Sequence, residues 1–241
     1  MQARDITYKS GDKTLSGYFA APPDGTGTRP GILVCHQGMG MTEHTRERAR
    51  MLAQEGYVAF ALDMYGETAT SRERAMELLQ SMTGNPEELR RRALEGLAVL
   101  KEQAEVDTSR LAAVGYCFGG AVVLELARAA PDLKCVVAFH PGMSAPVALP
   151  GRDDRKIPSC KVMVCAGADD PLIPDAAKVK FAELMNDAGA DWQLLVYGGA
   201  GHCFTDRSVD AMNIPAFQYH GPTDRRSWAA MNDLFNEVFC G

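Results

Sequence analysis

The chain has 241 residues, a length that α/β folds often occupy as one domain. Hydrophobic residues make up 46% and charged residues 23%, and 23 glycines and 13 prolines show no repeat, which excludes collagen-like, disordered and low-complexity chains. The net charge is −6 and the longest basic run is Arg90-Arg91-Arg92, so a small molecule rather than a nucleic acid is the expected partner.

The N-terminus, Met1-Gln2-Ala3-Arg4-Asp5, is polar and lacks the apolar core of a secretory signal, which points to a cytoplasmic protein. Ile6-Thr7-Tyr8-Lys9 and Leu15-Ser16-Gly17-Tyr18-Phe19 read as two strands joined at Gly11-Asp12, an antiparallel hairpin at a sheet edge. Continuous apolar runs follow at 31–36, 57–62, 110–116, 134–140, 160–167 and 191–197. Unbroken runs of this kind mark strands covered on both faces, so about eight strands are expected in all. None approaches the roughly 18 residues of a membrane span, and no membrane partner is expected.

Helical patterns separate these runs. The best marked has Asn85 as cap, Pro86 at the first position, Glu88 at the third, and Leu89, Ala93, Leu97 and Leu100 on one stripe. Others are read at 44–55, 118–130, 175–188 with Gly189 past its end, and 224–239 with Trp228, Met231, Phe235 and Val238 on one face. The alternation predicts a single α/β domain over 1–241, a mostly parallel central sheet of about eight strands with helices on both faces. The stretch 198–222 has no periodicity and reads as a long functional loop.

Seven cysteines form an odd set with no C-x-x-C pair, so reduced thiols are expected. One of them stands apart. The segment Val114-Gly115-Tyr116-Cys117-Phe118-Gly119-Gly120 runs from an apolar strand through G-x-C-x-G-G into a helix, the form of a nucleophile elbow. Such a turn strains the nucleophile's backbone and tolerates only small neighbours, and the start of the following helix favours a thiolate. Partners belong beyond the carboxyl ends of later strands. Asp169 and Asp170 follow the run 160–167, and His202 follows 191–197. Nucleophile, acid and histidine in that order are the arrangement of α/β-hydrolases, with His202 activating Cys117 and the acid orienting His202. Backbone N–H groups of Gly38, after the strand 31–36, and Phe118, after the nucleophile, are the expected oxyanion donors. Gln37, Met39, Tyr65, Cys203, Phe204 and Arg207 are substrate-pocket candidates, and Asp63 reads as the organiser of its own loop. The remaining histidines show no metal-ligand spacing, so neither a metal nor another cofactor is expected.

Taken together, the chain resembles the dienelactone hydrolase family, α/β-hydrolases with a cysteine nucleophile. The likeness rests on Glu43-His44-Thr45-Arg46-Glu47-Arg48-Ala49, Asp63-Met64-Tyr65-Gly66, the elbow from Gly115 to Gly120, Gly167-x-x-Asp170-x-x-Ile173-Pro174 and Gly199-Ala200-Gly201-His202-x-Phe204. It implies a triad of Cys117, Asp170 and His202, with Asp170 rather than Asp169 as the acid. It also implies a glutamate beside the resting thiol where this chain has Gln37, and a carboxylate-binding arginine where it has Asp206. The expected activity is therefore hydrolysis of small aryl or enol esters or lactones through an acyl thioester. Turnover of a dienelactone proper, hydrolysis of phosphoryl esters and a thiol sensor are the alternatives. A sensor needs neither the histidine nor the acid, and a glutamine amidotransferase would want an acid where Phe204 stands. Composition leaves a monomer and a homodimer equally open.

Overall fold

The computed structural model describes residues 1–23, 27–142, 156–157 and 159–240. Eight strands form one mostly parallel sheet, and the chain divides into two compact units, Met1–Val114 and Gly115–Gly241.

In the first unit, β1 (Gln2–Ser10) and β2 (Lys13–Ala21) pair antiparallel from Gln2↔Ala21 to Ser10↔Lys13. Gly11 closes their turn at φ +55°, a left-handed conformation that glycine adopts without a Cβ clash. β1 is the terminal strand, as the hairpin pattern predicts. β2 pairs antiparallel with β4 (Val58–Leu62), which in turn lies parallel to β3 (Arg29–Cys35). The unbroken run Val58-Ala59-Phe60-Ala61-Leu62 is wholly buried, because helices α1 (Glu43–Gln54) and α3 (Pro86–Lys101) both pack on β4.

The cap of α3 forms as its sequence dictates: Asn85 Oδ1 accepts the Glu88 N–H at 3.2 Å. Two arginines of the basic run are paired within this helix, Arg91 with Glu88 and Glu95 and Arg92 with Glu88. One helix escapes the periodicity reading. α2 (Arg72–Thr83) buries only Ala75, Leu78 and Met82, a stripe too narrow to stand out in a charged segment, although Ser71 caps it through the Arg74 N–H.

β5 (Val106–Tyr116) starts four residues before the apolar run, in the polar stretch Val106-Asp107-Thr108-Ser109. In the second unit β6 (Leu133–Phe139), β7 (Lys161–Gly167) and β8 (Asp191–Tyr197) are parallel, in register from Cys135↔Lys161 and Lys161↔Asp191. The strand order over the chain is β1-β2-β4-β3-β5-β6-β7-β8. β8 departs from the doubly covered strand its sequence suggests. None of its residues is fully buried and Val196 is 48% exposed, because it is the terminal strand with β7 as its sheet neighbour.

Helices α4 (Phe118–Ala129) and α6 (Gly221–Cys240) pack on β6, and α5 (Asp175–Ala188) packs on β8. Gly189, in the left-handed region at φ +66°, ends α5. α6 begins three residues ahead of the start at 224 that its sequence suggests, and of its apolar stripe Trp228, Met231 and Phe235 are buried together with Leu234. The segment 198–222 carries a short 3-10 turn, Arg207–Met212, that its aperiodic sequence conceals.

Candidate active site

Cys117 sits between the end of β5 and the first residue of α4, at φ +52°. A side-chain-bearing residue is held there only when its surroundings over-determine the turn. Here they do: the Cys117 N–H donates to the Phe139 carbonyl at 3.0 Å, and its carbonyl accepts the Gly120 N–H at 3.0 Å. Gly115 is required by the same turn, since a Cβ on it would lie 1.9 Å from the Gly119 carbonyl oxygen.

Asp170 and His202 reach Cys117 because the ends of β7 and β8 converge. A Cβ on Gly167 would come within 2.2 Å of the Ala200 carbonyl oxygen, and the Asp169 N–H donates to that oxygen at 3.0 Å. His202 is clamped from the other side by residues 216–218: its N–H donates to the Ala216 carbonyl at 2.9 Å and its carbonyl accepts the Gln218 N–H at 3.2 Å. The result is a linear arrangement. His202 Nε2 lies 3.2 Å from Cys117 Sγ, and His202 Nδ1 lies 2.7 Å from Asp170 Oδ2. The other Asp170 oxygen accepts the Leu172 N–H at 2.8 Å, so the carboxylate is fixed at both ends. Asp170 and His202 are buried while Cys117 is half-buried.

The electrostatics follow from this packing. The Cys117 thiol titrates well below the ordinary range: the Cys203 thiol donates to it, overriding its own burial, and His202 and the Phe118 N–H add to the effect. Cys203, the donor, is pushed well up by that same hydrogen bond and then by burial. Burial favours the neutral His202 ring, yet the hydrogen bonds to Asp170 and Cys117, with the charges of both, raise it to about 9. At neutral pH the pair is therefore a thiolate beside an imidazolium, with Phe118 at the helix start pointing its N–H at the sulfur.

His140 is absent from the sequence-based set. It follows β6 at φ +40°, and its Nε2 lies 2.9 Å from Thr205 Oγ1. Its ring meets those of His202 and Phe204 edge-on, at 5.2 and 5.0 Å between centroids. Ligand atoms of His140, His202 and Cys203 all lie within 4.8 Å of one another, a His-His-Cys grouping that no linear spacing reveals. The legible signal for His140 is its place one residue past the carboxyl end of an inner strand. Phe204, taken from sequence as a pocket candidate, is instead fully buried and packs between His140 and Tyr197 as a backing for the site. Asp206 accepts the Ser208 N–H at 2.8 Å and starts the 3-10 turn, and the Arg207 guanidinium lies over the Tyr219 ring at 4.6 Å. Beyond them a cavity of about 480 Å³ is lined by Asp210, Asn213, Ile214, Pro215, Phe217, Gln218 and Tyr219, and the Phe217 ring tilts against His202 at 5.3 Å.

The remaining predicted residues lie in the first unit. Gln37, Gly38 and Met39 follow β3; the buried Gln37 amide nitrogen is 3.2 Å from His44 Nδ1, and the Met39 carbonyl accepts the Ala69 N–H. Tyr65 is buried against His36 at 4.8 Å between rings. Asp63 organises its loop, accepting from the Tyr65, Gly66 and Ser16 N–H groups.

Comparison with known proteins places these features in context. A model of the dienelactone hydrolase family matches residues 15–239. A Yersinia pestis protein provisionally named carboxymethylenebutenolidase is 28% identical over 97% of this chain and 87% of its own length. An Escherichia coli K12 protein with the same provisional name is 26% identical over 92% and 82%. Among solved structures, a dienelactone hydrolase-like promiscuous phosphotriesterase, P91, from metagenomic libraries superposes with a TM-score of 0.90 at 38% identity, covering 98% of both chains. Among the described residues, no helix is long and apolar enough to cross a membrane.

Proposed function

The chain belongs to the dienelactone hydrolase family of ester hydrolases, and on that premise we propose that it cleaves small activated carboxylic esters, aryl or enol esters and lactones, through an acyl thioester on Cys117. The observation that carries this reading is the unbroken line Cys117 Sγ, His202, Asp170, at 3.2 and 2.7 Å.

The Cys117 thiolate attacks the carbonyl carbon, and the carbonyl oxygen takes up the negative charge against the Phe118 N–H. Collapse expels the alkoxide or phenoxide, which takes the proton from His202 Nε2. Sulfur is now uncharged in the thioester, so the Cys117 hydrogen bond and charge that helped raise His202 are gone while its burial and its Asp170 partner remain. The ring, having given its proton to the leaving group, is neutral for the second half. It takes a proton from water, the hydroxide attacks the thioester, and departure of the carboxylic acid restores the ion pair. Asp170 holds the ring with Nε2 toward sulfur throughout.

Dienelactone itself is expected to be a poorer substrate than an aryl ester, since Gln37 and Asp206 replace the glutamate and arginine of the family pattern and Asp206 is committed to Ser208. Steady-state kinetics on p-nitrophenyl acetate, dihydrocoumarin and a dienelactone tests the reading. Turnover of the first two, with an acyl mass on Cys117 in quenched samples, supports it; ester turnover unchanged in Cys117→Ala overturns it. A second reading is favoured by the 38% identity to a phosphotriesterase: the same thiolate attacks phosphorus in a phosphotriester. Paraoxon in the same panel decides whether that activity accompanies the first.

A further inference from the structure

Cys117 and Cys203 form a pair of unlike thiols beside His202. Cys203 follows His202 directly, sits at φ +59° where residues with a side chain are uncommon, and is buried. The Cys117 sulfur lies 3.2 Å from His202 Nε2, the Cys203 sulfur lies within 4.8 Å of a ring nitrogen of the same histidine, and the two thiols share a hydrogen bond with Cys203 as donor. The hydrolytic cycle assigned above uses Cys203 only as a hydrogen-bond donor.

Resting on the assignment of Cys117 as a thiolate nucleophile, we propose that the pair is an oxidative modification site: a hydroperoxide converts Cys117 to a sulfenic acid, and Cys203 resolves it as a Cys117–Cys203 disulfide. In the first step the thiolate attacks the distal oxygen of ROOH, the O–O bond breaks, and the leaving alkoxide takes the His202 proton to give ROH. In the second the neutral His202 takes the Cys203 proton, the new thiolate attacks the sulfenic sulfur, and the expelled hydroxide recovers that proton as water. Two thiols and one hydroperoxide thus become one disulfide, one alcohol and one water. The sulfurs must close to about 2.05 Å, with the two Cβ atoms about 3.5–4.5 Å apart, for the bond to form.

Selectivity is built into the surroundings. Burial raises the thiols of Cys35, Cys135, Cys160 and Cys165, the last two to about 12, so they stay protonated and unreactive. Cys240 is exposed and is removed from the experiment by Cys240→Ser. The chemical consequence is protection: a lone sulfenic acid at a half-buried site proceeds to the irreversible sulfinic acid, whereas a disulfide is recovered by a thiol.

The test treats the purified full-length protein with tert-butyl hydroperoxide and reads intact mass, linked peptides and ester hydrolysis before and after dithiothreitol. The expected result is a loss of about 2 Da, a Cys117–Cys203 linked peptide, and a fall in activity of about ten-fold or more that dithiothreitol reverses. Cys203→Ser should gain about 32 Da at Cys117 and stay inactive after reduction. A sulfinic adduct in the wild-type protein with no linked peptide, or equal recovery of wild type and Cys203→Ser, overturns the proposal. The linked peptide is read by mass alone. A protein that forms it yet hydrolyses no ester retains the redox site and refutes only the esterase reading.

Discussion

His202 Nε2 lies 3.2 Å from Cys117 Sγ although the two residues are 85 positions apart in the chain. The same ring is held at 2.7 Å by Asp170, and the hydrogen bonds to Asp170 and Cys117 keep a proton on it at neutral pH, while the Cys203 hydrogen bond and the His202 ring together keep the sulfur ionised.

Alkylation reads that ionisation directly. Cys117 should be the fastest of the seven cysteines toward iodoacetamide, with a rate nearly flat between about pH 6 and 8, whereas an ordinary thiol near 8.5 speeds up about ten-fold per pH unit in that range. Peptide mapping after short exposure identifies the site. A fast site elsewhere, or a ten-fold slope at Cys117, contradicts the ion pair.

The alkaline limit of ester hydrolysis is set by His202. Its titration in the resting state is raised from the usual 6.5 to about 9, so the proton needed by the leaving group is present below that value and lost as the pH rises through it. The kcat/KM profile for an ester with a poor leaving group should fall on that limb. Asp170→Asn removes a hydrogen bond and charge that favour the imidazolium, which should move the limb to lower pH and cut kcat by about 10²–10⁴-fold.

Cys117→Ala should abolish ester hydrolysis, by about 10³-fold or more, while leaving the far-UV spectrum and melting temperature close to wild type. Alanine fits the turn because the backbone at φ +52° is held by the Phe139 and Gly120 hydrogen bonds rather than by the thiol. Residual activity within a few-fold of wild type would remove cysteine from the chemistry.

Gly115→Ala should instead disrupt the fold around the elbow. Its Cβ would sit 1.9 Å from the Gly119 carbonyl oxygen, a backbone atom that cannot rotate aside. The expected loss exceeds about 3 kcal/mol, seen as a lower urea midpoint or as insoluble protein. A near-wild-type midpoint would show that the start of α4 moves freely.

At the far end of the scale, Asn85→Ala removes one cap from α3 and should cost about 1 kcal/mol, a shift of about 2–4 °C in Tm for a chain of this size. Ester kinetics at 25 °C should be unaffected. A slowed kcat would tie this helix to the site more closely than its cap geometry does.

The residue sequence was enough for whatever is written in local periodicity and backbone restriction. The glycines around Cys117, the Asn85-Pro86 helix start, the covered run from Val58 to Leu62 and the order of Cys117, Asp170 and His202 are all of this kind, since each depends on neighbours in the chain or on strand ends that topology brings to one edge. Tertiary structure decided the rest. Helix α2 exists because a narrow apolar stripe finds a surface to cover, and β8 is half-exposed because it ends the sheet, which no run of apolar residues reveals. The contact between Cys203 and Cys117, the position of His140 against His202, and the burial of Phe204 all depend on how the ends of β6, β7 and β8 approach one another. That approach is set to within ångströms by the closeness of Gly167 to Ala200, and linear spacing carries no information about distances between side chains so far apart in the chain.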